Sequence, residues 1–183
     1  MEDLSLHILD IAENSITAGA SKIKIKIIED IKKNLLLIEI ADNGRGMDRQ
    51  IRKMASDPFF TTKIKKRVGL GIPFLAQSAK EAMGDISIRT RKGKGTTIVA
   101  RFQYDHIDRK PLGDIGKTLI VLIAGNPDID FVFKHKRNSH IYTIDTAEIK
   151  KSLQGVPVTH PAVIKIIKDG IRAWLNATKD VVK

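Results

Sequence analysis

Asp42-Asn43-Gly44-Arg45-Gly46-Met47 directly follows the apolar run Leu35-Leu36-Leu37-Ile38-Glu39-Ile40-Ala41. An apolar run that ends in an aspartate predicts a strand followed by a turn. Two glycines one residue apart would let the backbone and the carboxylate come close to a flat ligand. The same residues are typical of a plain tight turn, because Asp and Asn side chains cap turns. On this segment alone, a ligand site and a plain turn both remain open.

The composition indicates a folded protein with a basic surface. With 183 residues the chain is long enough to bury a core, as one domain or as one domain with an appendage. Hydrophobic residues at 42% beside charged residues at 29% exclude a disordered chain. The absence of cysteine excludes disulfides, thiol catalysis and thiolate metal sites. The net charge of +11 favours an anionic partner. The excess lysines are equally typical of a solvated protein surface, so both interpretations stay open.

Nothing in the sequence predicts a membrane segment. Met1-Glu2-Asp3 is acidic where a signal peptide would be basic, and polar residues interrupt the apolar ones that follow. We therefore expect a cytoplasmic protein with no membrane partner.

Helical and strand patterns alternate up to Tyr104. Apolar residues recur at helical spacing near the N-terminus, and strict alternation with outward lysines predicts the strand that follows. The predicted elements are a helix at 4–18, a second helix that is opened by the stretch Val68–Pro73 and closed by Gly84, a hairpin of strands at 22–27 and 35–41, and strands at 85–91 and 96–102.

Two features of this region are typical of ligand sites. Residues 48–68 lack clean periodicity, and a connection of that length inside a compact domain is usually functional. Gly69-Leu70-Gly71 feeds the start of the second helix, where free backbone N–H groups and the helix dipole favour phosphate. A plain junction between loop and helix remains the alternative at this point.

The composition changes after Tyr104, which divides the chain into residues 1–104 and an extension at 105–183. Residues 105–117 are polar and predict a linker or lid. We expect the strands of the extension to extend the sheet and its last helix to cover a face or an interface. Its predicted elements are strands at 118–124, 131–133 and 140–144, and helices at 146–153 and 161–177.

Four motifs, in this order, resemble the nucleotide-binding boxes of the GHKL superfamily, which joins gyrase B subunits, heat-shock chaperone ATPases, sensor histidine kinases and MutL proteins. They are Glu13-Asn14 on a helix, Asp42-x-Gly-x-Gly, Gly69-Leu70-Gly71 and Gly95-Thr96. The first box is similar to that of MutL proteins, whereas Asp57-Pro58-Phe59-Phe60-Thr61-Thr62-Lys63 and residues 93–97 are similar to the sensor-kinase versions. The resemblance spans residues 4–102.

The resemblance implies an α/β fold, an α+β two-layer sandwich of the Bergerat type. It has a mixed β-sheet with helices on one face, here followed by a C-terminal β/α extension. Residues 1–104 would form the ATP-binding core, with the extension at 105–183 packed on the same domain. The implied cofactors are ATP and Mg²⁺.

The resemblance also implies roles for single residues. Asn14 would offer its amide oxygen to Mg²⁺, a hard cation that takes its other ligands from phosphate and water. Asp42 would accept a hydrogen bond from the adenine amino group, with Thr96 supporting the same end of the base. The remaining residues implied to bind the nucleotide are Gly44, Gly46, Met47, Lys63, Gly69, Leu70 and Gly71.

Asp10 is the candidate catalytic base. Hydrolytic members of the superfamily carry a glutamate four residues before the magnesium asparagine, and here that position is Asp10. Residues four apart share a helix face, so Asp10 and Asn14 would face one site. Because aspartate is one methylene shorter than glutamate, hydrolysis, phosphotransfer and binding alone stay open. His7 on the same helix is interpreted as a packed residue.

These observations predict a stand-alone Mg-ATP-binding protein of the histidine-kinase or anti-sigma-factor-kinase type, acting as a kinase or ATPase on or with a protein partner. A non-catalytic, nucleotide-gated interaction module is the alternative. A DNA-linked, MutL-like ATPase is less favoured, because the transducer domain of such proteins has no counterpart in the sequence. Nucleic acid is thus the less favoured partner, and a homodimer is compatible with each alternative.

Overall fold

The computed structural model of the protein describes residues 2–47 and 71–179. Its helices are α1 (Leu4–Thr17), α2 (Gly71–Glu81), α3 (Ile115–Gly125), α4 (Thr146–Ser152) and α5 (Pro161–Lys179). Its strands are β1 (Lys22–Asp30), β2 (Leu35–Asp42), β3 (Asp85–Arg91), β4 (Gly95–Gln103), β5 (Asp130–Arg137) and β6 (His140–Asp145).

The strands form one six-stranded mixed sheet in the order β3-β4-β2-β1-β5-β6. Strand β1 pairs in parallel with β5, and the other neighbouring strands are antiparallel. The sheet formed by β1 to β4 is thereby extended by β5 and β6 along the free edge of β1. The predicted α/β class with a mixed sheet is confirmed.

The alternation in β1 decides which face of the sheet is buried. Ile23, Ile25 and Ile27 are at most 1% exposed, whereas the alternate side chains of the same strand include Lys24 and Lys26. Helices α1 and α2 pack against the buried face, where α1 contacts β1 and β2 and α2 contacts β3 and β4. Lysines on the opposite face stay near water, as the ion pair of Lys26 with Glu39 at 3.5 Å illustrates.

The prediction of a strand at residues 118–124 is wrong, because these residues lie in α3. Asp114 caps this helix by accepting a hydrogen bond from the backbone N–H of Lys117 at 2.8 Å. Its buried side chains include Ile115, Leu119 and Leu122, which recur at helical spacing. The run is continuous only because the outer side of the helix is apolar too, where Val121 is 50% exposed.

The start of α1 is held by the segment that precedes α3. The backbone N–H of Leu4 donates to the carbonyl of Pro111 at 2.9 Å, and the Thr118 hydroxyl donates to the carbonyl of Ser5 at 3.4 Å. These bonds fix α1, which carries Asp10 and Asn14, to the rest of the fold. Within the two described ranges, no helix has both the length and the apolar character needed to cross a membrane.

His7 is a packed residue, as the sequence predicts. Its side chain is completely buried in α1, and neither ring nitrogen has a hydrogen-bond partner among the described residues. Burial, with a smaller contribution from the positive charge of Lys110, lowers the pKa of His7 from the usual 6.5 to about 4. The folded protein therefore holds this imidazole neutral.

We expect His7→Leu to reduce the acid sensitivity of the fold. Between pH 6.5 and about 4 the unfolded chain binds a proton on His7 that the folded protein does not, so acidification destabilises the wild type. The contribution of this one proton is at most about 1.4 kcal/mol per pH unit. Urea unfolding at a series of pH values would measure it, with the exposed His140, replaced by Gln, as control. Identical acid slopes for His7→Leu and the wild type would contradict this account of His7.

Candidate functional site

The carboxylate of Asp42, the last residue of β2, joins three segments at one end of the sheet. Its Oδ2 accepts a hydrogen bond from the Ser15 hydroxyl on α1 at 2.9 Å. Its Oδ1 accepts from the backbone N–H groups of Gly44 at 2.9 Å and Thr96 at 3.2 Å. A carboxylate offers about four acceptor positions. Three of these positions are filled from residues 2–47 and 71–179, so within those ranges one position, on Oδ2, is left for a further donor.

Thr96, at the start of β4, belongs to a second cluster of hydrogen bonds. The Thr90 hydroxyl accepts from the backbone N–H of Met47 at 2.9 Å and donates to the carbonyl of Gly95 at 3.1 Å. It also lies 3.1 Å from the Thr96 hydroxyl, which must be the donor because Thr90 has a single proton to give. The oxygen of Thr96 thus keeps acceptor capacity beside Asp42.

Two glycines allow the turns around Asp42 to pack closely. Gly46 and Gly95 have positive φ values of 65° and 85°. A Cβ on Gly46 would collide with the carbonyl oxygen of Arg91, and one on Gly95 would collide with that of Asp42. Because larger residues would clash and would also be strained at these φ values, both positions need glycine. These close approaches hold the β3–β4 turn against the Asp42 turn.

Asp10 lies against Gly71, the first residue of α2, and a Cβ on Gly71 would collide with its carboxylate. Burial raises the pKa of Asp10 above its ordinary value. Asn14 follows one turn later on α1, and both side chains are partly buried. An acidic side chain with a raised pKa thus borders the start of a helix, where backbone N–H groups favour anions.

The predicted site residues that are described gather at this end of the fold. Asp42, Gly44, Gly46, Met47 and Thr96 belong to the hydrogen-bonded turns, and Asp10 with Gly71 marks the junction of α1 and α2. Asn14 lies on α1 directly before Ser15, which binds Asp42. The predicted residues Lys63, Gly69 and Leu70 lie outside the described residues.

The sequence pattern does not single out Ser15 and Thr90 as site residues. Ser15 occurs at helical spacing within an apolar stripe, and a serine there signals a buried hydroxyl that needs a partner. Thr90 pairs with Thr96 across the β3–β4 hairpin. The glycines at 93 and 95 mark the turn of this hairpin in the sequence, and the strand residues can be paired outward from that turn. In both cases the signal is a polar residue placed opposite a predicted site residue.

The donor set fits a magnesium ion only in part. Residues 2–47 and 71–179 contain no group of three or more His, Asp or Glu residues that could hold a metal ion. Asn14 offers a neutral amide oxygen, and Mg²⁺ usually keeps several waters and shares phosphate oxygens of its substrate. These residues would therefore hold Mg²⁺ only together with a phosphorylated ligand.

Comparison with known proteins identifies the family. The family model described as "Histidine kinase-, DNA gyrase B-, and HSP90-like ATPase" matches residues 2–106. A putative sensor protein of Shewanella frigidimarina is 32% identical over 99 residues, covering 53% of this chain and 15% of that protein. A putative NtrY-like sensor histidine kinase of Rickettsia conorii is 26% identical over 110 residues, covering 60% and 18%. The chain thus spans less than a fifth of the length of these curated relatives.

A solved structure supports the fold. The N-terminal domain of a DNA repair protein superposes with a TM-score of 0.52 at 18% identity, covering 79% of this chain and 52% of that chain. The family match, residues 2–106 of 183, covers more than half of the chain and includes α1, β1, β2 and the Asp42 turn. The chain therefore belongs to the histidine kinase-, DNA gyrase B- and HSP90-like ATPase family, the GHKL superfamily that its motifs resemble.

Proposed function

We propose that this chain binds Mg-ATP in the site around Asp42 and acts, in the manner of a histidine kinase or ATPase, on or with a protein partner. The observation that carries the proposal is the Asp42 carboxylate, which three hydrogen bonds hold in place and which keeps one acceptor position. A fixed carboxylate acceptor suits a flat base with an exocyclic amino group.

The adenine end of the site would use the turns described above. The amino group of adenine would donate to Oδ2 of Asp42, and the hydroxyl of Thr96 would accept or bridge through water at the same edge. Gly46, which carries no side chain, would let the base lie along the backbone between Gly44 and Met47. Recognition of the base would thus depend on the Asp42 carboxylate as a charged acceptor and on the fit of the flat base against the backbone at Gly46.

The phosphate end would lie between α1 and α2. The described part of helix α2 begins at Gly71. Backbone N–H groups in the first turn of a helix favour phosphate oxygens. Asn14 would hold Mg²⁺ through its amide oxygen, and the ion would neutralise charge on the phosphate oxygens. Lys63, Gly69 and Leu70 would complete this end.

We also propose that the chain divides into an ATP-binding core at residues 1–104 and an extension at residues 105–183.

Asp10 would act as the base. Its carboxylate lies against Gly71 of α2, where the phosphates would sit, and burial raises its pKa, which makes it a stronger base. It would take a proton from water in hydrolysis, or from the accepting group of a protein partner in phosphotransfer. The alternative is a non-catalytic module gated by nucleotide. The observation that supports it is the side chain of Asp10, which is one methylene shorter than the glutamate of hydrolytic family members.

We expect Asp42→Asn to weaken nucleotide binding by about tenfold to a hundredfold, since a hydrogen bond to a charged group contributes roughly 1.5–3 kcal/mol. Asparagine keeps one acceptor oxygen but presents an NH₂ group where Oδ2 would receive the amino group of adenine. Calorimetric titration with ADP and Mg²⁺ would measure the affinity. Asp85→Asn, which removes an exposed carboxylate paired with Arg101, is the matched control. Wild-type affinity in Asp42→Asn would refute the assignment of the adenine end.

We expect Asp10→Asn to abolish turnover while ADP affinity stays within about twofold of the wild type, because the amide cannot accept a proton. Incubation with γ-labelled Mg-ATP, alone and with candidate partner proteins, would detect phosphate release or transfer. Glu13→Gln, an exposed neighbour on α1, is the control. Undiminished turnover in Asp10→Asn would exclude it as the base. Tight binding with neither release nor transfer in the wild type would instead support the non-catalytic module.

A further inference from the structure

A cavity of about 820 Å³ lies between α3 and α5, at the end of β1 opposite the Asp42 site. The β1–β2 register pairs Ile23 with Asp42, whereas Glu29, which lines the cavity, pairs with Leu36. At about 3.3 Å per residue, the two regions are separated by roughly 20 Å along the strand. We call it the α3–α5 cavity, and its residues are Glu29, residues 112–114, Gly116, Lys117, Ile120, Val121, Arg137, Lys168, Ile171, Arg172, Leu175 and Asn176.

A buried relay of hydrogen bonds holds the polar side of the cavity. The indole N–H of Trp174 donates to Nδ1 of His135 at 3.1 Å, and Nε2 of His135 lies 2.8 Å from Oε1 of Glu29. Because an indole can only donate, the proton of His135 is on Nε2 and is donated to Glu29. Burial alone would raise the pKa of Glu29, but the hydrogen bond from His135 and the charge of Arg137 hold it below its ordinary value. Glu29 is therefore ionised, and its charge is already balanced by the hydrogen bond from His135 and by the charge of Arg137.

Arg137 adds a cation to the polar side of the cavity. Its Nε is buried and has no hydrogen-bond partner among the described residues, since Oε2 of Glu29 lies 3.9 Å away. One of its terminal nitrogens donates to the Tyr104 hydroxyl over a long 3.4 Å. Because this Nε is inaccessible from the cavity, Arg137 acts on a bound anion through its positive charge and not through this N–H.

The rim of the cavity is cationic. Lys117, Lys168 and Arg172 are exposed there, and within the described part of the chain none of them has a carboxylate oxygen within 4.0 Å. Asp114, the acidic residue at the rim, is engaged in capping α3. Lys168 and Arg172 are four residues apart on α5, so their side chains are neighbours that can converge on one acidic group.

The walls between this rim and the polar side are apolar. They are formed by Ile120 and Val121 on α3, Ile171 and Leu175 on α5, and Leu112. Val121 is half exposed although it is a large apolar side chain on a helix. A cavity of several hundred Å³ with apolar walls and a few converging charges has the size and character of a small-molecule site.

We propose that the α3–α5 cavity binds a small organic anion with an apolar body, independently of any nucleotide at the Asp42 site. The acidic group, a carboxylate or a phosphate monoester, binds at Lys168 and Arg172. The apolar body lies against Ile120, Val121 and Leu175. The site is separate from the nucleotide site, because the two occupy opposite ends of β1.

Trp174, the single tryptophan of the chain, makes the proposal testable by fluorescence, because two hydrogen bonds connect it to Glu29 in the cavity wall. The probes are octanoate, octyl phosphate and 1-octanol, each below its aggregation concentration and with saturating ADP present. We expect a saturable change with octanoate or octyl phosphate, and the tighter of the two identifies the head group. We expect octanol to bind at least about tenfold more weakly, because it lacks the charge that the rim cations attract.

A pair of charge reversals, one at the site on α5 and one on α2, separates a specific site from general attraction. Arg172→Glu should weaken the better anionic probe by about tenfold or more, since it replaces a cation of the site by a carboxylate. Lys80→Glu changes the charge equally at an exposed position of α2 that does not line the cavity, and it should leave affinity within about twofold. Absence of binding by both anions, octanol binding as tightly as octanoate, or equal effects of the two variants would overturn the proposal.

Discussion

The rest of the site depends on the hydrogen bonds of one carboxylate. Asp42 joins Ser15, 27 residues before it, to Thr96, 54 residues after it, and thereby holds α1, the glycine turn and β4 together. A carboxylate at a strand end is costly to desolvate unless donors surround it, and here two backbone N–H groups and one hydroxyl do so. The same bonds that satisfy Asp42 orient its remaining acceptor position, so the stability of the turn and the proposed recognition of adenine share one cause.

A second constraint acts at the other end of β1. The parallel pairing of β1 with β5 brings Glu29 level with Arg137 and places His135 next to Glu29. The relay from Trp174 then fastens α5 to the buried face of the sheet. The extension is therefore held to the sheet by charged and aromatic groups as well as by apolar packing, and its position opens the cavity between α3 and α5.

Local patterns predict much of the fold and of the site, whereas pairings between distant segments escape them. The alternation at residues 22–27 and the Asp-x-Gly-x-Gly turn after the apolar run correspond to β1, β2 and the Asp42 site. The helix α3 escapes prediction because Val121, on its outer side, is as apolar as its core face, which hides the helical period. The pair of Glu29 and His135 escapes because 106 residues separate its members and no short-range spacing links them.

The central claim is that Asp42 is the acceptor for the base of a bound nucleotide. A crystal structure of the chain with Mg²⁺ and a non-hydrolysable ATP analogue tests it most directly. The account predicts the amino group of adenine within hydrogen-bond distance of Oδ2 of Asp42, at about 3 Å, with the phosphates between Asn14 and the start of α2. A nucleotide bound at the α3–α5 cavity or elsewhere on the surface, with the Asp42 carboxylate untouched, would contradict it.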